Sequence, residues 1–175
     1  MTPAADTTKM PDAKLTAEMN ALLAEMRLLA SEALSLRALQ ERIVQAIAEK
    51  FSYYNWTGFY MLDFAESETL LLGPFVGDPT PHVRIPVTEG ICGAAAASGE
   101  TVIVDDVNAD PRYLSCSIQT KSEIVVPIFA HGKVVGEIDI DSHSAAAFTS
   151  LDRAFLEAAA QIVGDFIERN ALHTD

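Results

Sequence analysis

The chain has 175 residues, 49% of them hydrophobic and 21% charged, which supports one domain with a full apolar core. Its 12 basic residues face 25 acidic ones, a formal net charge of -13, which argues against nucleic acid and anionic membrane surfaces as main partners. No segment has the length of a transmembrane helix and no charged stretch leads into an apolar run as in a signal peptide, so a cytoplasmic location is expected. Two cysteines in that compartment are free, buried or redox-active more often than they form a structural bridge.

Residues 1–14 are rich in Thr, Ala, Asp and Pro without periodicity and read as a disordered tail. From Leu15 to Lys50 there is no Gly or Pro. Apolar residues recur there at Leu22, Met26, Leu29, Ala33, Leu36, Ile43 and Ile47, a helical stripe in steps of three and four. It forms one long helix, or two with a break near residues 31–35. The stripe packs on its own domain or in part on a second subunit. Its apolar length leads to the expectation of a homodimer.

Trp56–Phe64 and Leu70–Phe75 predict a strand pair, and His82–Val87 a short third strand. Gly90-Ile91-Cys92-Gly93 opens an alanine-rich helix that Gly99 caps. Thr101–Val104 is a fourth strand. Asp105–Lys121 is a long polar segment carrying Cys116. Segments of that length in compact domains are usually functional or mobile. Ser122–Phe129 and Lys133–Asp141 predict a last strand pair. Thr149 starts the final helix, with Asp152 as its capping-box partner. The order predicts an α+β fold with a central, mainly antiparallel sheet of six strands. The N- and C-terminal helices cover one face and the long loop the other. The domain proper spans residues 51–170, preceded by a helical segment at 15–50.

Side chains alternate along a strand, so Glu137, Asp139 and Asp141 share one face while Ile138 and Ile140 take the other. Glu123 opens the neighbouring strand. A face of like charges repels itself. Shielded acids with acidic neighbours gain raised pKa values and can carry a proton near neutral pH. Cys116 sits among Ser115, Ser117, Gln119 and Thr120, with Lys121 near enough in sequence to favour a thiolate. Cys92, at a helix start, is either activated by the helix terminus or a small core residue. Trp56 and Tyr60 share a strand face and either wall an apolar slot or belong to the core. The two cysteines are too far apart for a metal or redox spacing motif, and none of the four histidines is at ligand spacing. Neither a metal site nor a cofactor is therefore expected.

These residues together resemble a GAF domain, and within that family the free methionine-(R)-sulfoxide reductases. The matching blocks are Asn55-Trp56 with Gly58-Phe59-Tyr60, Gly73-Pro74-Phe75, Val83-Arg84-Ile85-Pro86 and Gly90-Ile91-Cys92-Gly93. They continue through Ser122-Glu123-Ile124-Val125-Val126-Pro127, Gly132 to Gly136, and Asp139-Ile140-Asp141-Ser142. The resemblance implies that Cys116 is the nucleophile and that Glu123, Asp139 and Asp141 surround the sulfoxide. It implies that Trp56 helps line the pocket and that Cys92 is a second family cysteine, here the only internal candidate for the thiol that forms a disulfide with the oxidised nucleophile. The family's resolving cysteine falls at position 82, which here is His82. The implied reaction is reduction of free L-methionine (R)-sulfoxide through a sulfenic acid. The implied reductant is thioredoxin-like or a low-molecular-weight thiol. A non-catalytic GAF sensor that only holds a small ligand is the alternative. His82 is expected to lie close to Cys116.

Overall fold

The computed structural model describes residues 12–171, except residues 64, 66, 67 and 116. Its elements run α1 (Asp12–Glu32), α2 (Leu36–Lys50), β1 (Trp56–Leu62), β2 (Thr69–Val76), β3 (Arg84–Pro86), α3 (Gly90–Ser98), β4 (Val102–Val104), β5 (Ser122–Ala130), β6 (Lys133–Ser142) and α4 (Ser150–Ala171). The first helix starts at Asp12, so residues 12–14 are helical rather than part of a tail. Residues 1–11 of the expected tail lie outside the described residues. The helical stripe breaks where Ser35 becomes an N-cap, its hydroxyl accepting from the Ala38 amide at 3.2 Å. The helix opened by Gly90 ends, as expected, on a left-handed Gly99, whose amide donates to the Ala95 carbonyl at 2.9 Å.

The six strands form one sheet in the order β3-β2-β1-β6-β5-β4, with every neighbouring pair antiparallel. β6 sits near the centre, between β1 and β5. Each of its side chains therefore has cross-strand neighbours on both sides. Helices α1, α2 and α4 cover one face, where Met26, Ile43, Ile47, Phe155 and Val163 meet Phe59, Ile124, Val126, Ile138 and Ile140. The other face carries a second cluster. Ile91 and Ala95 of α3 and Val107 of the 105–121 segment pack there with Tyr60, Leu70 and Val125. The terminal helices thus share one face, as the element order predicts.

Most of the apolar stripe packs inside its own chain, with Ala33 and Leu36 only partly buried against the same core. Leu22, Met26, Leu29, Ile43 and Ile47 are each 5% exposed or less. These five side chains offer no surface to a second subunit.

Asp152 ties the first turn of α4 to the segment before β1. Its Oδ2 accepts from the Thr149 amide and hydroxyl, both at 2.7 Å, which is the expected cap. Its Oδ1 accepts from the hydroxyls of Tyr53 at 2.5 Å and Tyr54 at 2.8 Å. Asp152→Ala removes the cap and strands a buried phenol. A loss of about 3 kcal/mol is expected from urea unfolding, combining a cap worth ~1 kcal/mol with an unmet buried donor. A loss below about 1 kcal/mol contradicts this role.

Candidate active site

The site begins with the pleat of β6. Glu137, Asp139 and Asp141 point away from the helices, and the registers on both sides fix their neighbours. Asp141 lies opposite Trp56 on β1 and Glu123 on β5. Asp139 lies opposite Gly58 and Val125, and Glu137 opposite Tyr60 and Pro127. The cross-strand pair Glu123–Asp141 brings the fourth acid onto the same face. The exposures are 6% for Glu123, 0% for Glu137 and 3% for both Asp139 and Asp141. Water therefore does not screen this row.

Aromatic rings wall the row on the β1 side. Trp56 stacks on Tyr60 with centroids 6.3 Å apart and on Phe75 at 5.4 Å. The indole lies across Gly58, where a Cβ would sit 2.3 Å from the ring. Any larger residue there would displace the wall. The indole N–H donates to the Asp78 carbonyl at 3.1 Å, and the Tyr60 hydroxyl to the His82 carbonyl at 2.8 Å. Both rings are buried members of the second core cluster as well as walls of the site. A narrow cleft of about 20 Å³ beside Trp56, Ser117, Thr120 and Asp141 leads to the row. The larger groove, about 680 Å³, lies between α4 and the β5 edge and holds none of these acids.

Burial sets the electrostatics. Desolvation first, then the charges of Asp139, Asp141 and Glu137, push the Glu123 carboxyl well above the usual range. Desolvation and the Asp139 charge do the same for Glu137 and Asp141. Burial raises Asp139 to about 7, and the Cys92 thiol moderates that rise. Burial and mutual repulsion thus favour the protonated form along the row, the direction the strand pattern led one to expect.

Cys92 projects from α3 onto the acids, its Sγ 3.4 Å from Asp139 Oδ2. It is 5% exposed, and desolvation with the nearby carboxylates pushes its thiol well above the usual value. Of the two expectations for Cys92, helix-terminus activation is outweighed by burial. Glu137 faces this thiol, yet neither of its oxygens has a hydrogen-bond partner of ordinary geometry among the described residues. His82 places its ring Nε2 3.1 Å from the carbonyl oxygen of Ser115, the residue before Cys116. Cys116 itself lies outside the described residues.

The site thus gathers Trp56, Tyr60, Cys92, Glu123, Asp139 and Asp141, with His82 at its margin. Sequence spacing left two members of the surroundings unassigned. Glu137 was visible by strand parity, since it alternates with Asp139. Thr120, buried and bonded through its side chain to Asp141, had no signal beyond its place beside Lys121.

A GAF domain profile matches residues 35–166, and the chain belongs to the GAF domain family. Within that family, two curated relatives share one name, free methionine-R-sulfoxide reductase. The Saccharomyces cerevisiae protein is 46% identical over 110 residues, 62% of this chain and 61% of its own length. The chain thus spans less than two thirds of that relative. The Escherichia coli protein is 38% identical over 141 residues, 80% of this chain and 78% of its own. A crystal structure of the Neisseria meningitidis free methionine-R-sulfoxide reductase in complex with its substrate superposes with a TM-score of 0.84 at 32% identity. It covers 96% of this chain and 98% of that one.

The protonated row has a thermodynamic consequence. In an unfolded chain these carboxyls ionise near pH ~4. In the folded chain burial raises Asp139 to about 7 and pushes the other three well above their ordinary values. Between those limits the folded state binds more protons, so stability is full below the unfolded pKa and is lost as pH rises through the folded values. Thermal unfolding should come several degrees later at a pH of about 5.5 than at about 8.5. Glu137→Gln should narrow the gap by raising stability at the higher pH. An unchanged gap in that variant contradicts the assignment of a proton to this residue.

Proposed function

We propose that the protein reduces free L-methionine (R)-sulfoxide to methionine. The observation that carries this reading is the buried row of proton-bearing acids beside the Trp56–Tyr60 wall, in a chain whose fold matches a substrate-bound reductase. A sulfoxide oxygen must take up protons as its bond to sulfur breaks. An acid that stays protonated at neutral pH is suited to supply one. The Trp56 and Tyr60 rings suit the thioether end of the substrate.

In the proposed reaction the Cys116 thiolate attacks the sulfoxide sulfur while an acid among Glu123, Asp139 and Asp141 protonates the sulfoxide oxygen. The resulting hydroxyl passes to the Cys116 sulfur: the methionine S–O bond breaks as the Cys116 S–O bond forms, the electron pair stays on the methionine sulfur, and methionine departs, leaving Cys116 as a sulfenic acid. A thiol then condenses with it, releasing water and forming a disulfide, which a second thiol opens. Cys92 is poorly suited to that second role, because its buried thiol is held against Asp139 rather than ionised. His82 has no sulfur to offer. Recycling therefore falls to an external thiol, a thioredoxin-like protein or a low-molecular-weight thiol, acting in the cytoplasm.

Methionine release from the racemic free sulfoxide, with dithiothreitol as reductant, tests the reading. Half of the racemate should be consumed, the R epimer, and Cys116→Ser should lower the rate at least ~100-fold without altering the fold. Absence of turnover in the natural chain supports a ligand-binding GAF module instead. Recycling has its own test. His82→Cys should raise the thioredoxin-driven rate relative to the dithiothreitol-driven rate and should trap a disulfide between positions 82 and 116 after one equivalent of substrate. Failure to trap that link shows that position 82 does not reach the nucleophile.

A further inference from the structure

The floor of the site contains a thiol among carboxylates, drawn from three elements with no metal-binding spacing between them. Cys92 Sγ and one carboxylate oxygen each of Glu123 and Asp139 lie within 4.8 Å of one another. The sulfur is 3.4 Å from Asp139 Oδ2. In a tetrahedral zinc site, bond lengths of about 2.3 Å to sulfur and about 2.1 Å to oxygen place those two ligands roughly 3.6 Å apart. That pair already has the required spacing, and the other pairs, at 4.8 Å or less, need a contraction of at most roughly one ångström.

A second observation comes from outside this trio. Glu137 is 0% exposed and lies against the Cys92 thiol, with neither of its oxygens meeting a partner of ordinary hydrogen-bond geometry among the described residues. Asp139 Oδ1, also buried, lacks one too. Buried acceptors left unmet are uncommon because each forfeits its hydration. A cation bound at the floor would meet the Asp139 carboxylate directly and would be attracted by the Glu137 carboxylate beside the thiol.

We propose that the floor is a binding site for a thiophilic divalent cation of the zinc class. Cys92 Sγ, Glu123 and Asp139 are its ligands, and Glu137 supplies further negative charge beside the sulfur. Binding replaces the thiol and carboxyl protons, which pass to solvent, by metal–sulfur and metal–oxygen bonds, with no change of oxidation state. The ion occupies the acids that the proposed reductase reaction uses, so metal and sulfoxide exclude each other. That last clause alone rests on the reductase reading.

Cadmium reports this site directly, through the ultraviolet charge-transfer band of a thiolate–cadmium bond. The full chain, reduced with a phosphine and freed of other thiols, should give a band that saturates at one cadmium per chain. The band should persist in Cys116→Ser and vanish in Cys92→Ser. In Glu137→Gln, half-saturation should need at least tenfold more cadmium. Should Cys92→Ser fail to fold, Asp139→Asn keeps the thiol and should show the same tenfold weakening. A band that survives Cys92→Ser and disappears in Cys116→Ser overturns the site, as does the absence of a saturable band. In the Cys116→Ser variant, which by the proposed mechanism cannot turn over, excess free methionine sulfoxide should raise the cadmium needed for half-saturation. Saturation unchanged by sulfoxide overturns the mutual exclusion while leaving the metal site standing. Because the band requires no turnover, a chain without reductase activity would still reveal whether the floor binds metal.

Discussion

Four carboxyl groups share one dry patch of sheet, and that burial is the constraint on which the rest of the structure depends. Ionised together at this spacing they would repel strongly, and each would lose its hydration. Burial accommodates them by favouring the protonated form along the row. The arrangement is set by backbone geometry. β6 runs between two antiparallel neighbours, so its pleat sends Ile138 and Ile140 to the helical core and the acids to the opposite face. A one-residue slip of β6 would exchange the two sets and place the acids against the helices. The isoleucines therefore hold the acids in place.

The surroundings serve that row. The indole of Trp56 is held over Gly58 by stacking and by its bond to Asp78, which closes the β1 side against water. Helix α3 closes another side with Ile91 and Ala95 and presents Cys92 to Asp139. The 105–121 segment completes the enclosure. Val107 packs into the apolar cluster, and the Lys121 amide donates to the Ser142 carbonyl at 2.8 Å, fixing the segment's end beside the acids. A dry site strengthens the interaction of each remaining charge with a bound ligand. The cost is carried by the larger core on the other face, where α1, α2 and α4 bury an extensive apolar surface.

Much of this was legible in the residues themselves. The alternation at 137–141 gave the face of the acids, the spacing of Trp56 and Tyr60 gave their shared side, and Thr149 with Asp152 marked the last helix. These are local rules, written over two to four residues. What escaped depends on long-range packing. Burial of Cys92 follows from where α3 lands on the sheet, so the helix-start rule alone overstated its reactivity. That the stripe from Leu22 to Ile47 breaks at Ser35 and fills one core from two helices also depended on packing that the stripe itself does not carry. The stacking of acids from β5 and β6 into one cluster with a thiol required the register, which no single segment carries.

The protonation of the buried row is the most direct point at which to test this account. Infrared spectroscopy resolves the carbonyl stretch of a protonated carboxylic acid from that of a carboxylate. In deuterated buffer near neutral pH, the folded chain should show the protonated band, shifted as in a dry environment. Unfolding in urea should remove it. A spectrum near neutral pH with carboxylate bands alone would contradict the account, since the row would then be ionised and hydrated.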